Sequence, residues 1–452
     1  MKTSVFRASI KALTAFGIVC LFASQPLWAV RPTVVKSTPA NGNKEVDPTL
    51  RRITIEFDQD MDTRGGRSIC GGGDTMPKLV ASPRWSGKRT FVMTVRLRPN
   101  HDYAFSINCP SALNFRSAVG ESAVPYPVRF TTGGGDLVAE DLPVSELNTA
   151  AAEVLREMID QKYSYRDRLG LDWDTLFSDH KQLLIDSATP KRFAQIAGVL
   201  LAHARDKHIW LNVGGEHVPA YIKPMTPNAN AQRLPEIVPR WQQHNKTVYT
   251  GLFDDGIVYI RIDSWSLRNP RAYEGVYQLI GQHLDAPGLV IDVRFNGGGS
   301  ETVAADLAGC FVDEPVVYAK NVYRDPSAEG GFTQMLDRTL EPNPGRPAYR
   351  GKAAVLSGPV VMSSCEAFVL MMKQVPGATV FGESTQGSSG NPKPYDLGNG
   401  VTVYLPSWKA MLPDGTEFEG VGVEPDLKVD AVQSDFAERD PVLEAALEYL
   451  RG

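Results

Sequence analysis

The sequence predicts a multidomain chain: a β-sandwich towards the amino terminus, a small helical subdomain, and then an α/β core. Three observations carry that prediction. Short runs rich in β-branched and aromatic residues, parted by turn-formers, fill 30–132. A helical apolar period replaces them over 143–215, and from 247 to 452 hydrophobic strands alternate with helical segments. The 452 residues suffice for two or three domains, and 42% hydrophobic with 22% charged residues is ordinary for a folded chain. A formal charge of -5, without interleaved basic and aromatic residues, gives no electrostatic reason to expect a nucleic-acid partner.

Residues 1–29 read as an export signal. Lys2, Arg7 and Lys11 precede the apolar stretch ALTAFGIVCLFA, and QPLWA supplies a cleavable end near Ala29. The apolar stretch is short for an uncleaved membrane anchor. A lipid attached at Cys20 is disfavoured by the bulk of Val19 before it. The mature chain is therefore expected to be periplasmic or secreted, with no integral membrane segment.

The sandwich, 30–132, is built from RRITIEF, TFVMTVRL, YAFSIN and YPVRFTT, separated by turn-formers such as PANGN, GGRS and RPNH. Cys70 and Cys109 both fall in this small β domain and are expected to pair, whereas Cys310 and Cys365 read as buried small hydrophobes. The successive glycines of TTGGGDLVAE mark a linker over 133–142.

Beyond the linker, NTAAAEVLREMIDQKYSY and TPKRFAQIAGVLLAHARD repeat apolar residues with helical spacing. In the second, Thr189 and Pro190 stand as cap and first-turn residue. This helical subdomain spans 143–215, and a polar, proline-bearing segment, 216–246, connects it to the core. There VYIRIDSWS, GLVIDVR, KAAVLSG and ATVFGE read as strands, with helices after Gly299 and after Ser363, and RDPVLEAALEYLRG as a closing helix. Active residues are expected where such strands end and loops begin.

Ser363, in PVVMSSCEAFVLMM, has two readings. With Glu366 three residues on it forms a capping box at a helix start. It is also a hydroxyl at a strand-to-helix turn, which becomes a nucleophile only with a base beside it. His208, in AHARDKHIWLNV, is the most suggestive base, and alone it reads equally as a histidine ending a helix. His203 does not share its helical face, and no HExxH or paired CxxC is present, so no metal is expected. The strand GLVIDVRF runs into Asn296, Gly297, Gly298 and Gly299, whose bare amides suit an oxyanion or a tight turn. Their spacing is not that of a nucleotide-binding loop, and no cofactor is implied.

Taken in order, DKHIWLNV, GIVYIRIDSWS, LVIDVRFNGGGS, VVMSSCEAF, ATVFGESTQGSSG and TEFEGVGVEPD give 143–452 a strong resemblance to the carboxy-terminal processing and tricorn-core serine peptidases. The 30–132 segment resembles the bacterial immunoglobulin-like modules of exported proteins. The first resemblance implies that Ser363 is the nucleophile, with an oxyanion hole from the amide of Ser364 and that of Gly297 or Gly298. One branch of that family carries its base as a lysine after the nucleophile. Here GESTQGSS puts Ser388 at that position, and Lys373 is elsewhere. The other branch uses a histidine from a DxH-like stretch and a late glutamate, matched by Asp206, Lys207 and His208 and by Glu419.

The resemblance thus implies a Ser-His-Glu mechanism through an acyl-enzyme, acting on proteins or peptides, with Glu419 orienting His208 directly or through Ser388. Glu417 and Glu424 are nearby alternatives to Glu419, and Glu366 becomes a support for the nucleophile loop. The stretch between His208 and Val258 is too short for the PDZ domain that many of these peptidases carry, so recognition of substrate tails is not implied. Two other readings remain open: a peptidase fold that binds peptide or apolar ligand without turnover, and a surface interaction protein led by its immunoglobulin-like domain.

Overall fold

A computed structural model of the protein describes residues 30–63, 65–80, 83–134, 143–266 and 270–452. The expected export signal and most of the expected linker lie outside them. The chain divides into two compact units, one essentially the first 139 residues and the other everything from Glu140 on.

The first unit is a β-sandwich. One sheet joins β1 (Val34–Thr38), β2 (Arg52–Phe57), β4 (Lys78–Leu79), β5 (Arg84–Ser86) and β6 (Thr90–Arg96), and the other joins β3 (Ile69–Cys70), β7 (Asp102–Ile107) and β8 (Tyr126–Thr131). Alternation explains the burial: Ile53, Ile55 and Phe57 point inward from β2, and Tyr103, Phe105 and Ile107 from β7, into one shared core. Cys70 and Cys109 are disulfide-bonded, as the sequence predicts.

The second unit holds both the helices and the α/β core. Helices α1 (Val144–Lys162), α2 (Trp173–Ile185) and α3 (Pro190–Ala202) pack together, and Thr189 caps α3 by accepting from the Arg192 amide. They do not close a core among themselves. Their apolar faces cover a four-stranded sheet ordered β10-β9-β20-β19, whose strands are β9 (Trp210–Val213), β10 (Glu216–Pro219), β19 (Pro392–Asp396) and β20 (Val401–Pro406). The chain after Ser363 thus returns to complete the helical layer.

The central sheet runs β11-β12-β13-β14-β17-β18-β22. Its strands are β11 (Gln242–Gln243), β12 (Val248–Leu252), β13 (Val258–Ile262), β14 (Leu289–Asp292), β17 (Ala353–Ser357), β18 (Ala378–Gly382) and β22 (Leu427–Lys428), parallel from β13 onward. A parallel sheet must be covered on both faces. Helices α5 (Glu274–Gln282), α6 (Glu301–Ala308) and α7 (Ser364–Met372) cover one, against Ile260, Ile291 and Val355. The one-turn α4 (Leu234–Ile237) and α8 (Pro441–Arg451) cover the other, against Tyr259, Val290 and Leu356. A small sheet of β15 (Val316–Tyr323), β16 (Leu336–Leu340) and β21 (Trp408–Met411) flanks this core.

A charge is buried at the centre. Arg294, two residues beyond β14 and fully buried, pairs with Asp292 through Nε (3.0 Å) and Nη2 (2.7 Å), and with Asp440 through Nη1 and Nη2 (both 2.8 Å). Asp440 also caps α8 through the Leu443 amide, and Tyr259 donates to Asp292. Burial alone would raise the Asp292 pKa, but the guanidinium holds it below the usual carboxylate range. Removing one partner of such a pair strands the rest. Asp440→Ala is therefore expected to destabilise the fold by on the order of 3–5 kcal/mol, read as a fall in the urea midpoint at unchanged slope.

Candidate active site

Parallel strands that end together leave a crevice at their carboxyl ends. Here β14 ends ahead of the Asn296–Gly299 loop, β17 ahead of Ser363, and β18 ahead of the loop that carries Ser388. Ser363 sits at φ 60 and ψ -127, left-handed backbone that a side chain rarely adopts and that costs on the order of 1–3 kcal/mol. Its amide is held by the Ser388 carbonyl oxygen (2.8 Å) and by Glu366 Oε2 (3.1 Å), and its carbonyl oxygen accepts from the Glu366 amide (2.9 Å). The Ser363 hydroxyl makes no capping hydrogen bond. The capping half of the motif therefore falls to Glu366, and the hydroxyl stays free.

Glu366 does more than cap. Fully buried, it also accepts from Thr385 Oγ1 (2.7 Å), the Gly387 amide (2.7 Å) and the Ser388 amide (3.1 Å). Burial pushes its pKa up to about 7, with these donors pulling the other way. One carboxylate thus ties the Ser363 turn to the loop of Ser388.

Ser388 in turn faces the histidine. His208 Nδ1 lies 2.8 Å from Ser388 Oγ, inside the protein. Ser388 therefore touches both expected partners, its carbonyl oxygen on Ser363 and its hydroxyl on His208. Burial, with the charge of Lys207 adding to it, pushes the His208 pKa down to about 4, so its ring is neutral at neutral pH. Its backbone amide donates to Asp206 Oδ1 (2.8 Å), while Asp206 Oδ2 accepts from Tyr163 (2.9 Å).

Glu419 is buried beside this group, and Oε2 accepts from the Ser389 amide (2.8 Å). No hydrogen bond joins it to His208 or to Ser388 among the described residues. Burial and the charge of Asp206 push Glu419 well above the usual carboxylate range, with Arg168 opposing. Burial raises Asp206 as well, and two carboxylates buried near one another do not both ionise freely. The alternatives face solvent: Glu417 is exposed and pairs with Lys409 (2.8 Å), and Glu424 is exposed. Lys373 pairs with Asp426 away from the serine.

Of the glycines, Gly298 is fixed by close approach. A Cβ there would lie 2.9 Å from both the Met362 carbonyl oxygen and Ser363 Cβ, at φ +103. Its amide is occupied, donating to Asn296 Oδ1 (2.8 Å). The Gly297 amide and that of Ser364, at the first position of α7, have no hydrogen-bond acceptor among the described residues. An open cleft of about 470 Å³ lies over Ser363 and Ser364, bounded by Gly299, Glu301, Tyr318, Ser389, Asn391 and Trp408.

Sequence reasoning did not find Asn296 as the loop's internal acceptor, Tyr163 behind Asp206, or the reach of Glu366 to residues 385–388. A signal for the Asn296 loop was present in IDVRFN, where polar residues begin to alternate with apolar ones as the buried strand β14 ends. The tyrosines of KYSY gave no such signal.

Residues 256–429 match the model of peptidase family S41, and residues 29–132 match that of a bacterial Ig-like domain. The first stretch contains Gly297, Gly298, Ser363, Ser364, Ser388 and Glu419 and begins after His208. The carboxy-terminal processing protease CtpA of Bacillus subtilis is 24% identical over 209 residues, 46% of this chain and 41% of that protein. A CtpA-like serine protease of Staphylococcus haemolyticus is 25% identical over 145 residues, 32% of this chain and 28% of that protein. The chain thus matches less than half the length of either relative. A Parabacteroides merdae protein of solved structure shares the fold, with TM-score 0.59 and 24% identity over 69% of this chain and 98% of its own.

Two outcomes are expected of this site. In Glu366→Gln the side-chain NH2 must face a donor, Gly387 N–H at one oxygen position or the Ser363 and Ser388 amides at the other. The variant should lose on the order of 1–3 kcal/mol in chemical denaturation. In an NMR titration the His208 ring should stay neutral until the pH approaches about 4. Because that value lies below the unfolded one, protonation favours the unfolded chain. The stability this group contributes is full above pH 6.5 and falls away between 6.5 and about 4.

Proposed function

We propose, from the match of residues 256–429 to peptidase family S41 and of residues 29–132 to the bacterial Ig-like domains, that the protein is an exported serine peptidase cleaving peptide bonds through an acyl-enzyme on Ser363. The observation that carries this reading is Ser388, bonded through its backbone to the Ser363 turn and through its hydroxyl to His208. Export agrees with the Cys70–Cys109 disulfide, a bond of oxidising compartments.

In the proposed reaction Ser363 Oγ attacks the peptide carbonyl carbon and its proton passes to His208 Nε2. The oxyanion is met by the amides of Ser364 and Gly297. His208 returns the proton to the leaving amine nitrogen as the C–N bond breaks. Water then attacks the ester, again giving its proton to His208, and Ser363 regains its hydrogen as the acid product leaves. Ser388 accepts from Nδ1–H and so keeps Nε2 towards the serine. Glu419 acts at one remove, fixing the backbone at Ser389 and sharing charge with Asp206.

Intact mass after incubation with a fluorophosphonate tests this. The wild type should gain a single adduct, Ser363→Ala none, and His208→Ala should react at least about a thousandfold more slowly. Ser388→Ala should fall between them. An adduct that persists on Ser363→Ala, or a folded wild type that never reacts and cleaves no casein, would sink the proposal and favour binding without turnover.

A further inference from the structure

The outward face of the sheet β10-β9-β20-β19 carries rings where a solvated sheet face ordinarily alternates to polar residues. Its inward residues, among them Leu211, Val403 and Leu405, are spent on the helices α1 to α3. On the outward face the registers set Pro394 opposite Tyr404, Tyr404 opposite Trp210, and Trp210 opposite Pro219, one residue from each strand. Trp210 and Tyr404 stack at 4.5 Å with planes 12° apart, and His217 stacks with Trp210 at 5.7 Å. Pro394, Pro219 and His217 are exposed, and Trp210 and Tyr404 are half-buried. Prolines on the edge strands β10 and β19 block further pairing there, and the stacked rings between them are what set this face apart.

The row's position names its occupant. Strand β19 opens at Pro392, which lines the cleft over Ser363, and Pro394 lies two residues on, about 7 Å at the rise of a strand. On the neighbouring side Trp210 follows His208 by two residues. The row therefore begins one strand step from the cleft along β19. A chain threaded through the cleft in extended form continues over it.

We infer that this row extends the cleft and holds an extended, proline- or aromatic-bearing segment of the polypeptide substrate away from the scissile bond. The inference rests on the peptidase reading. Flat rings beside prolines suit a polyproline-like segment, whose ordering is small and whose side chains present flat apolar faces. Soluble glycans also stack on such rings, but nothing would lead a glycan from the row into a cleft built around a serine.

The test compares cleavage of β-casein, unfolded and proline-rich, with that of a hexapeptide copied from its mapped cleavage site. Tyr404→Thr and Pro394→Thr keep strand-compatible residues. In Tyr404→Thr the ratio of kcat/KM for casein to that for the hexapeptide should fall about tenfold, through the KM for casein. Pro394→Thr should lower it in the same direction. A ratio unchanged in both variants overturns the inference. Casein binding to Ser363→Ala gives a second reading without turnover: its Kd should rise about tenfold when Tyr404→Thr is added. An unchanged Kd, or binding of chitohexaose in place of casein, overturns it as well. If the wild type cleaves neither substrate and takes up no fluorophosphonate, the peptidase reading fails, and the Kd comparison still decides this one.

Discussion

The Glu366 carboxylate is the constraint on which the candidate site depends. Two oxygens in a dry interior accept from Ser363, Thr385, Gly387 and Ser388, so neither the Ser363 turn nor the loop after β18 can move without leaving a donor unpaired. That explains how Ser363 keeps a backbone conformation with an intrinsic cost. The strain is balanced by hydrogen bonds to groups that are themselves fixed: Thr385 both donates to Glu366 and accepts from the Val423 amide. It also answers why the hydroxyl is free. Glu366 closes the helix start alone, and Ser363 Oγ is left over the cleft.

Around this clamp the site is arranged by burial. His208 is dry, and its ring is held by Ser388 and its amide by Asp206, so its neutral form follows from desolvation. Behind it Asp206 and Glu419 divide one environment, with Tyr163 and a nearby guanidinium from Arg168 as compensation. The charge next to the imidazole is set by how that pair shares its protons, and among the described residues the pair reaches it only through the backbone amides of His208 and Ser389. A lysine at position 388 would place a second cation beside a histidine whose protonation burial already opposes. A serine there is consistent with an imidazole base.

The layers were legible in the sequence because each has its own period. Alternation in RRITIEF and YAFSIN gave the sandwich, Thr189–Pro190 gave the start of α3, and apolar strands separated by helical segments gave the covered sheet. Ser363, His208 and Ser388 were legible as a set through a resemblance, since no local period links positions so far apart. What stayed hidden lies in tertiary reach. The helices over 143–215 look self-contained in sequence, yet their core is completed by β19 and β20, because three amphipathic helices of this length leave an apolar face that only a sheet supplied later could cover. That Asn296 occupies the Gly298 amide was not legible either. Glu419 was preferred through the resemblance, and a turn-rich run of acidic residues does not reveal that it is buried while Glu417 and Glu424 are exposed.

Arg294 and Asp440 carry a consequence for the order in which the molecule is made. The guanidinium beside the glycine loop finds its second carboxylate, and α8 its cap, only when the chain has passed the nucleophile by a long stretch. A growing chain presents Gly297 and Ser363 well before Asp440, the second carboxylate on Arg294 and the cap of α8. Contacts so distant in sequence close late. The crevice at Ser363 is thus completed only after its own polypeptide has left the extended state.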